Sequence, residues 1–142
     1  MMPITFDSDE EVFAALSWII MCADGKGTPE ERDFLYNKLH EMDIFRDYDP
    51  IQFSQRMGAM NTKIFDCLQN DGISFTPEGI EDFVQAAKNA ISPDLCSDLF
   101  KLAVKIAYLD GINEKETKVI NQLQTGLGID SKTAEETFKL YQ

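Results

Sequence analysis

Four of the five prolines in this chain of 142 residues directly follow a serine, a threonine or an aspartate. That order is typical of the start of an α-helix. The side-chain oxygen accepts a free backbone N–H of the first turn, and the proline stands where no N–H is needed. The sequence therefore predicts four helix starts, at Thr28-Pro29, Asp49-Pro50, Thr76-Pro77 and Ser92-Pro93.

Three further helix starts carry a capping residue without a proline. Ser8 is followed three residues later by Glu11, and Asn113 by Glu116, which is the spacing of a capping box, while Ser131 opens a last helix. Apolar residues recur at helical spacing after each start, and no stretch shows sustained alternation of apolar and polar residues. We therefore expect an all-α protein.

The composition fits one globular unit. Hydrophobic residues make up 44% of the chain, which is enough for a core, and neither a linker nor a low-complexity tract divides it. Residues 1–142 are therefore predicted to form a single compact bundle of about seven helices. Asp71-Gly72 is expected to end the third of them, as a turn between two helix caps.

The net charge of −12 narrows the classes of partner. An acidic surface repels nucleic acid, anionic membranes and oxyanions, and it attracts cations and basic protein surfaces. Charge of one sign also keeps a protein soluble, so the charge alone does not select a function.

Cysteines and hydropathy indicate the compartment. The three cysteines form no Cys-x-x-Cys motif, and the acidic N-terminal segment does not resemble a signal peptide. The longest apolar run, residues 18–23, is too short to cross a bilayer. We expect a cytoplasmic protein with reduced thiols and no direct membrane insertion.

The chain contains one internal repeat, an apolar helix followed by Asp-Gly, a short loop and a capped second helix. The two copies are about 85 residues apart, and they give two similar helix–DG loop–helix halves. The matching positions are Leu16, Asp24-Gly25, Glu31 and Leu35 in the first copy, and Leu102, Asp110-Gly111, Glu116 and Ile120 in the second.

The segments CADGKGTPEERDFL and YLDGINEKETKVI that carry this repeat resemble the tellurite-resistance TerB-like family. The resemblance implies an acidic, all-α cytoplasmic protein linked to tellurite and broader chemical stress. It also implies a cation-sensing or adaptor module, not an enzyme, whose partners include TerC-type integral membrane proteins.

The family's acidic motif falls on six residues of this chain. They are Asp24, Glu30 and Glu31 in the first copy, and Asp110, Glu114 and Glu116 in the second. Two positions depart from the family pattern. Lys26 places a positive charge in the first loop, and Thr117 stands where a second glutamate is expected. Both departures weaken a cation site, and the first copy is affected more.

The physical chemistry of these loops leaves two interpretations open. A carboxylate at the C-terminal end of a helix is unfavourable, so local helix stability does not explain Asp24 or Asp110. Either the carboxylates accept N–H groups of the next helix, or they bind a divalent cation such as Ca²⁺ or Mg²⁺ with the glutamates. No Asp-Gly fits an EF-hand, because the first ligand position falls on Ile20, Cys67 or Ile106. Any such site would therefore bind weakly.

Catalytic interpretations find little support. His40 is the only histidine and follows the apolar Leu39 near a helix end, where a solvated or helix-capping role is expected. The cysteines and the methionines Met57 and Met60 are expected to fill the core. Nucleotide-binding motifs are absent. Two hypotheses remain: a cation-responsive stress-response adaptor, and a purely structural acidic interaction domain without a metal site. The oligomeric state is left open.

Overall fold

The computed structural model describes residues 4–23, 29–108 and 114–141. Within these ranges the chain forms seven α-helices and one 3₁₀ turn, and its only β-type pairing is an isolated bridge between Asn70 and Phe75. The prediction of an all-α bundle is confirmed. The helices are α1 Asp9–Cys22, α2 Pro29–His40, α3 Pro50–Cys67, α4 Pro77–Ala90, α5 Pro93–Ala107, α6 Glu114–Leu127 and α7 Ser131–Tyr141, and the 3₁₀ turn is Asp43–Phe45.

The proline-marked helix starts are confirmed, since each of the four prolines is the first residue of its helix. Asp49 accepts the N–H of Gln52 at 2.8 Å, and Thr76 accepts that of Gly79 at 3.1 Å. Ser92 precedes α5 without a side-chain hydrogen bond to it. The prolines thus locate the helix starts more reliably than the capping side chains do.

The other starts are more varied than the capping-box pattern predicts. Ser8 accepts the N–H of Glu11 at 3.4 Å, but the Glu11 carboxylate accepts the N–H of Asp7, not that of Ser8. The last helix begins at Ser131 as predicted, and its capping oxygen comes from Asp130, which accepts a backbone N–H at 2.7 Å.

The prediction that Asp71-Gly72 ends the third helix is wrong. Helix α3 ends at Cys67, because the side-chain amide of Asn70 donates to the carbonyls of Phe65 and Leu68 at 2.9 and 2.8 Å. These bonds satisfy carbonyls that the last turn leaves open. Asp71-Gly72 instead forms the tip of a tight turn, in which Gly72 has a φ of +94°.

Helix α1 lies at the centre of the bundle. Nine consecutive residues from Val12 to Ile20 are buried, and α1 packs against α3, α4 and α5. The indole N–H of Trp18 donates to the carbonyl of Met57 at 2.8 Å, which ties α1 to α3. Met57 and Met60 are buried in the core, as the sequence predicts.

Helix α6 packs against α4 and α5. It approaches α4 so closely that a Cβ added at Gly126 would lie 2.5 Å from a methyl group of Val84. The side-chain amide of Gln122, in the middle of α6, donates to the carbonyl of Pro77 at the start of α4 at 2.7 Å.

Helix α2 is held by aromatic rings. Tyr36 packs edge-on against Trp18 of α1 and against Phe53 of α3, with ring centroids 6.0 and 5.7 Å apart. His40 stacks on the same Phe53 ring at 5.1 Å, and Phe45 of the 3₁₀ turn meets it at 5.3 Å. Over the described residues, no helix is both long and apolar enough to cross a membrane.

Candidate functional site

The structure describes only part of the predicted acidic motif. Asp24 and Asp110 lie outside the described residues. Glu30 and Glu31 belong to the first turn of α2. Glu114 and Glu116 lie in the first turn of α6, where both side chains are described.

These two glutamates have opposite environments. Glu114 is exposed, and its carboxylate lies 3.9 Å from the ammonium of Lys118, one turn further along α6. An exposed pair at this distance contributes little to stability. Glu116 is only 4% exposed, and it is the one buried acidic residue in the described part of the chain. A carboxylate that is removed from water needs hydrogen-bond donors, a basic group or a metal ion. Of these two glutamates, Glu116 is therefore the one whose carboxylate depends on specific partners around it.

A cavity of about 300 Å³ lies where α1 ends and α6 begins. We call it the α1–α6 cavity. Ala23, the last described residue before the first Asp-Gly, lines it together with Lys115 and Val119 of α6. Asp71 of the Asp71-Gly72 turn also forms part of the wall. The remaining lining residues are Ile19, Ser74, Phe75, Pro77, Ile80, Lys118 and Gln122.

The only carboxylate in this described lining is already engaged. The carboxylate of Asp71 accepts the N–H groups of Ser74 and Ile73, at 2.7 and 2.9 Å. These backbone hydrogen bonds, that from Ser74 first, lower the pKa of Asp71 below its ordinary value because they stabilise the ionised form. Asp71 is thus charged at neutral pH, and its carboxylate stabilises the turn in which it lies.

Two lysines, Lys115 and Lys118, share this lining with Asp71. A divalent cation there needs carboxylates in addition to Asp71, and Glu116 is not among the described lining residues. Within the described residues, no group of three Asp, Glu, His or Cys side chains is arranged to hold a metal ion.

Sequence reasoning did not find Lys115, Lys118 or the participation of Asp71. The cavity arises where residues far apart in the sequence meet, namely α1, the turn after α3 and α6. Helical periodicity reports which face of one helix is apolar, but not which helices share an end. No local signal could have found this lining.

His40 and the three cysteines are further chemistry-bearing residues that the structure describes. A ring nitrogen of His40, Nε2, lies 2.6 Å from the carbonyl oxygen of Tyr48. Since a carbonyl can only accept, this nitrogen carries the proton and donates. His40 was expected to be solvated or to cap its helix. In the structure its side chain instead links the end of α2 to the segment after the 3₁₀ turn. All three cysteines are half-buried and form no disulfide, and burial raises the pKa of the Cys96 thiol.

No protein-family model matches the chain, and neither a curated protein nor a solved structure matches it. The resemblance to the TerB-like family therefore rests on the two Asp-Gly segments alone. What the structure establishes, over the residues it describes, is an all-α bundle with a cavity where α1 ends and α6 begins.

Proposed function

We propose that this protein is a non-enzymatic, cytoplasmic stress-response adaptor of the TerB-like kind, acting in resistance to tellurite or related chemical stress. Its two Asp-Gly loops bind a divalent cation, Ca²⁺ or Mg²⁺, weakly. The bound cation changes how the acidic surface docks on protein partners, among them a TerC-type integral membrane protein.

The observation that carries this proposal is the burial of Glu116. Its exposed neighbour Glu114 shows that a glutamate in this helical turn can remain in water. Desolvating a carboxylate costs free energy that only specific partners offset. The burial therefore marks Glu116 as a residue with a specific role beside the second Asp-Gly loop.

The α1–α6 cavity supports the proposal from a second direction. It places the last described residue before Asp24-Gly25 beside the first turn of α6, which follows Asp110-Gly111. The two copies of the motif are 85 residues apart in the sequence, but the helices that flank them meet at one end of the bundle. A site that both copies share is therefore geometrically reasonable.

A two-dimensional amide NMR titration tests the proposal directly. Chelator-treated protein is titrated with Ca²⁺, Mg²⁺, Mn²⁺ and Zn²⁺ at physiological salt. We expect saturable shifts at Gly25, Gly111 and the first turn of α6, with a dissociation constant of about 10⁻⁴–10⁻³ M. Asp110→Asn should weaken binding at least about tenfold and leave the apo fold stable. Asp130→Asn is the matched control, since it alters an exposed helix-capping carboxylate outside this cavity.

A second candidate function is favoured by the lysines of the cavity. Lys115 and Lys118 repel a cation, and Glu114 is already close to Lys118. In that case the loops only cap helices, and the protein is a purely structural acidic interaction domain that binds a basic surface. Flat spectra with every cation, combined with a loss of stability above about 2 kcal/mol in Asp110→Asn, would reject the cation site and favour this alternative.

A further inference from the structure

A second cavity, of about 160 Å³, lies at the opposite end of α1. We call it the α1–α3 cavity. Four buried apolar residues, Ala14, Phe45, Met57 and Met60, are among the residues that line it. It shares no lining residue with the α1–α6 cavity at the C-terminal end of α1.

Charged side chains of opposite sign surround this apolar surface. Glu10 and Glu11 come from the first turn of α1, and Arg56 and Lys63 come from α3. Glu11 and Lys63 already form an ion pair, since their charged atoms lie 3.3 Å apart. The same Glu11 oxygen also accepts the N–H of Asp7 at 2.8 Å.

The other two charges are not engaged in this way. Within the described residues neither Glu10 nor Arg56 forms an ion pair, and the guanidinium of Arg56 lies 5.5 Å from the ring centroid of Tyr48. A carboxylate from α1 and a guanidinium from α3 therefore line one small apolar cavity without neutralising each other.

We propose that the α1–α3 cavity binds a free α-amino acid with an apolar side chain. A protein cavity of about 150 Å³ holds a benzene-sized group, so this one has room for the side chain of leucine, methionine or phenylalanine. The ammonium group of the ligand pairs with Glu10. Its carboxylate pairs with Arg56 and is further favoured by the positive end of the α1 dipole.

The charge pattern selects a zwitterion over simpler ligands. A purely cationic ligand pairs with Glu10 but brings a further positive charge towards Arg56 and Lys63. A purely anionic ligand pairs with Arg56 but is repelled by the carboxylates of Glu10 and Glu11. Only a ligand with both charges and an apolar body complements the whole lining, because each charged group then keeps a partner when water is displaced.

Amide NMR titration of the full chain with L-leucine, L-methionine and L-phenylalanine tests this inference. We expect saturable shifts at Ala14, Ala59 and Met60, which line the cavity. N-acetyl-L-leucine amide keeps the side chain but lacks both charges, and it should bind about tenfold or more weakly. Equal binding of this analogue would overturn the proposal and indicate a peptide segment as the ligand. The absence of saturable shifts with all three amino acids would overturn it as well.

Variants separate recognition from folding. Glu10→Gln and Arg56→Gln should each weaken leucine binding about three- to tenfold, because each removes one charge partner. Ala59 lines the cavity from an exposed position, so Ala59→Leu should block binding while the fold persists. Glu136→Gln and Lys101→Gln change exposed charges outside the lining and should leave the affinity unchanged. If both charge variants at the cavity bind leucine as the wild type does, the proposal is wrong.

Discussion

The first helices of the two Asp-Gly halves, α1 and α5, differ in how the bundle buries them. Helix α1 has no charged residue after Glu11 and is buried over nine consecutive positions. Helix α5 keeps a charged face, and that face is exposed. It consists of Asp94, Asp98, Lys101 and Lys105, at spacings of three and four residues. The same motif thus serves a central helix in one half and an amphipathic surface helix in the other.

The second helices of the halves differ in how they are attached. Leu35 of α2 and Ile120 of α6 occupy matching positions, and both are buried. Around them, α2 is held by aromatic rings, whereas α6 packs closely on α4 through Gly126. The similarity of the halves therefore lies in helix order and one core position, and the packing is specific to each half.

The largest expected effect separates α1 from α5 at matching positions. Leu16→Ala should lower the free energy of unfolding by about 3–5 kcal/mol, since Leu16 is fully buried. Leu102→Ala should cost only about 1–2 kcal/mol, since Leu102 is half-buried. Urea unfolding followed by far-UV circular dichroism measures both. Equal losses would contradict the central position of α1.

A smaller effect tests the close approach of α6 to α4. Gly126→Ala should destabilise the protein by about 1–3 kcal/mol, because the new methyl group must displace the side chain of Val84. Gly58 of α3 has open space around its Cβ position, so the control Gly58→Ala should stabilise by about 0.5–1 kcal/mol. Thermal unfolding of the two variants should shift in opposite directions. Stabilisation by both would show that α6 and α4 are further apart.

The aromatic attachment of α2 should respond more modestly. Phe53→Leu should lower stability by about 1–2 kcal/mol, because the ring meets three others, those of Tyr36, His40 and Phe45. Phe138→Leu is the control, since that ring packs edge-on against Phe100 alone. It should cost less in the same denaturant titration. A larger loss in the control would locate the stabilising ring contacts in the second half instead.

The smallest effect concerns helix caps and pH. Hydrogen bonds from Thr133 lower the pKa of Asp130 below its ordinary value of 3.8. This cap therefore stabilises the fold above that pH, and the contribution is lost as the pH falls through the lower, folded-state pKa. Asp130→Ala should be destabilising at neutral pH and nearly neutral in strong acid, as measured by urea unfolding at both pH values.

Ser8 provides the comparison for that experiment, because it caps α1 with a hydroxyl that does not titrate in this range. Ser8→Ala should cost about 0.5–1 kcal/mol, with no change of its own between neutral and acidic pH. An acid-independent loss in Asp130→Ala would show that the ionised carboxylate is not the capping group of α7.

Predictions that depend on contacts between residues close in sequence were mostly accurate, and those that depend on contacts between distant residues were not. Thr76 and Asp49 cap their helices through bonds to residues three positions away, so the sequence shows both partners at once. The end of α3 was missed because the Asn70 side chain, not the Asp-Gly pair, satisfies its last carbonyls. Of the candidate site, Glu116 was anticipated, but its burial was not. Lys115 and Lys118 of the α1–α6 cavity were not anticipated either.

The sequence by itself determined where helices start, since capping oxygens, prolines and helical periodicity act within one or two turns. It also determined that the fold is all-α. Only the tertiary structure decided that α1 packs against α3, α4 and α5, and that α1 ends at a cavity lined by residues of α6 and of the Asp71 turn. Those outcomes depend on packing between residues distant in sequence, and no local pattern encodes which helices become neighbours.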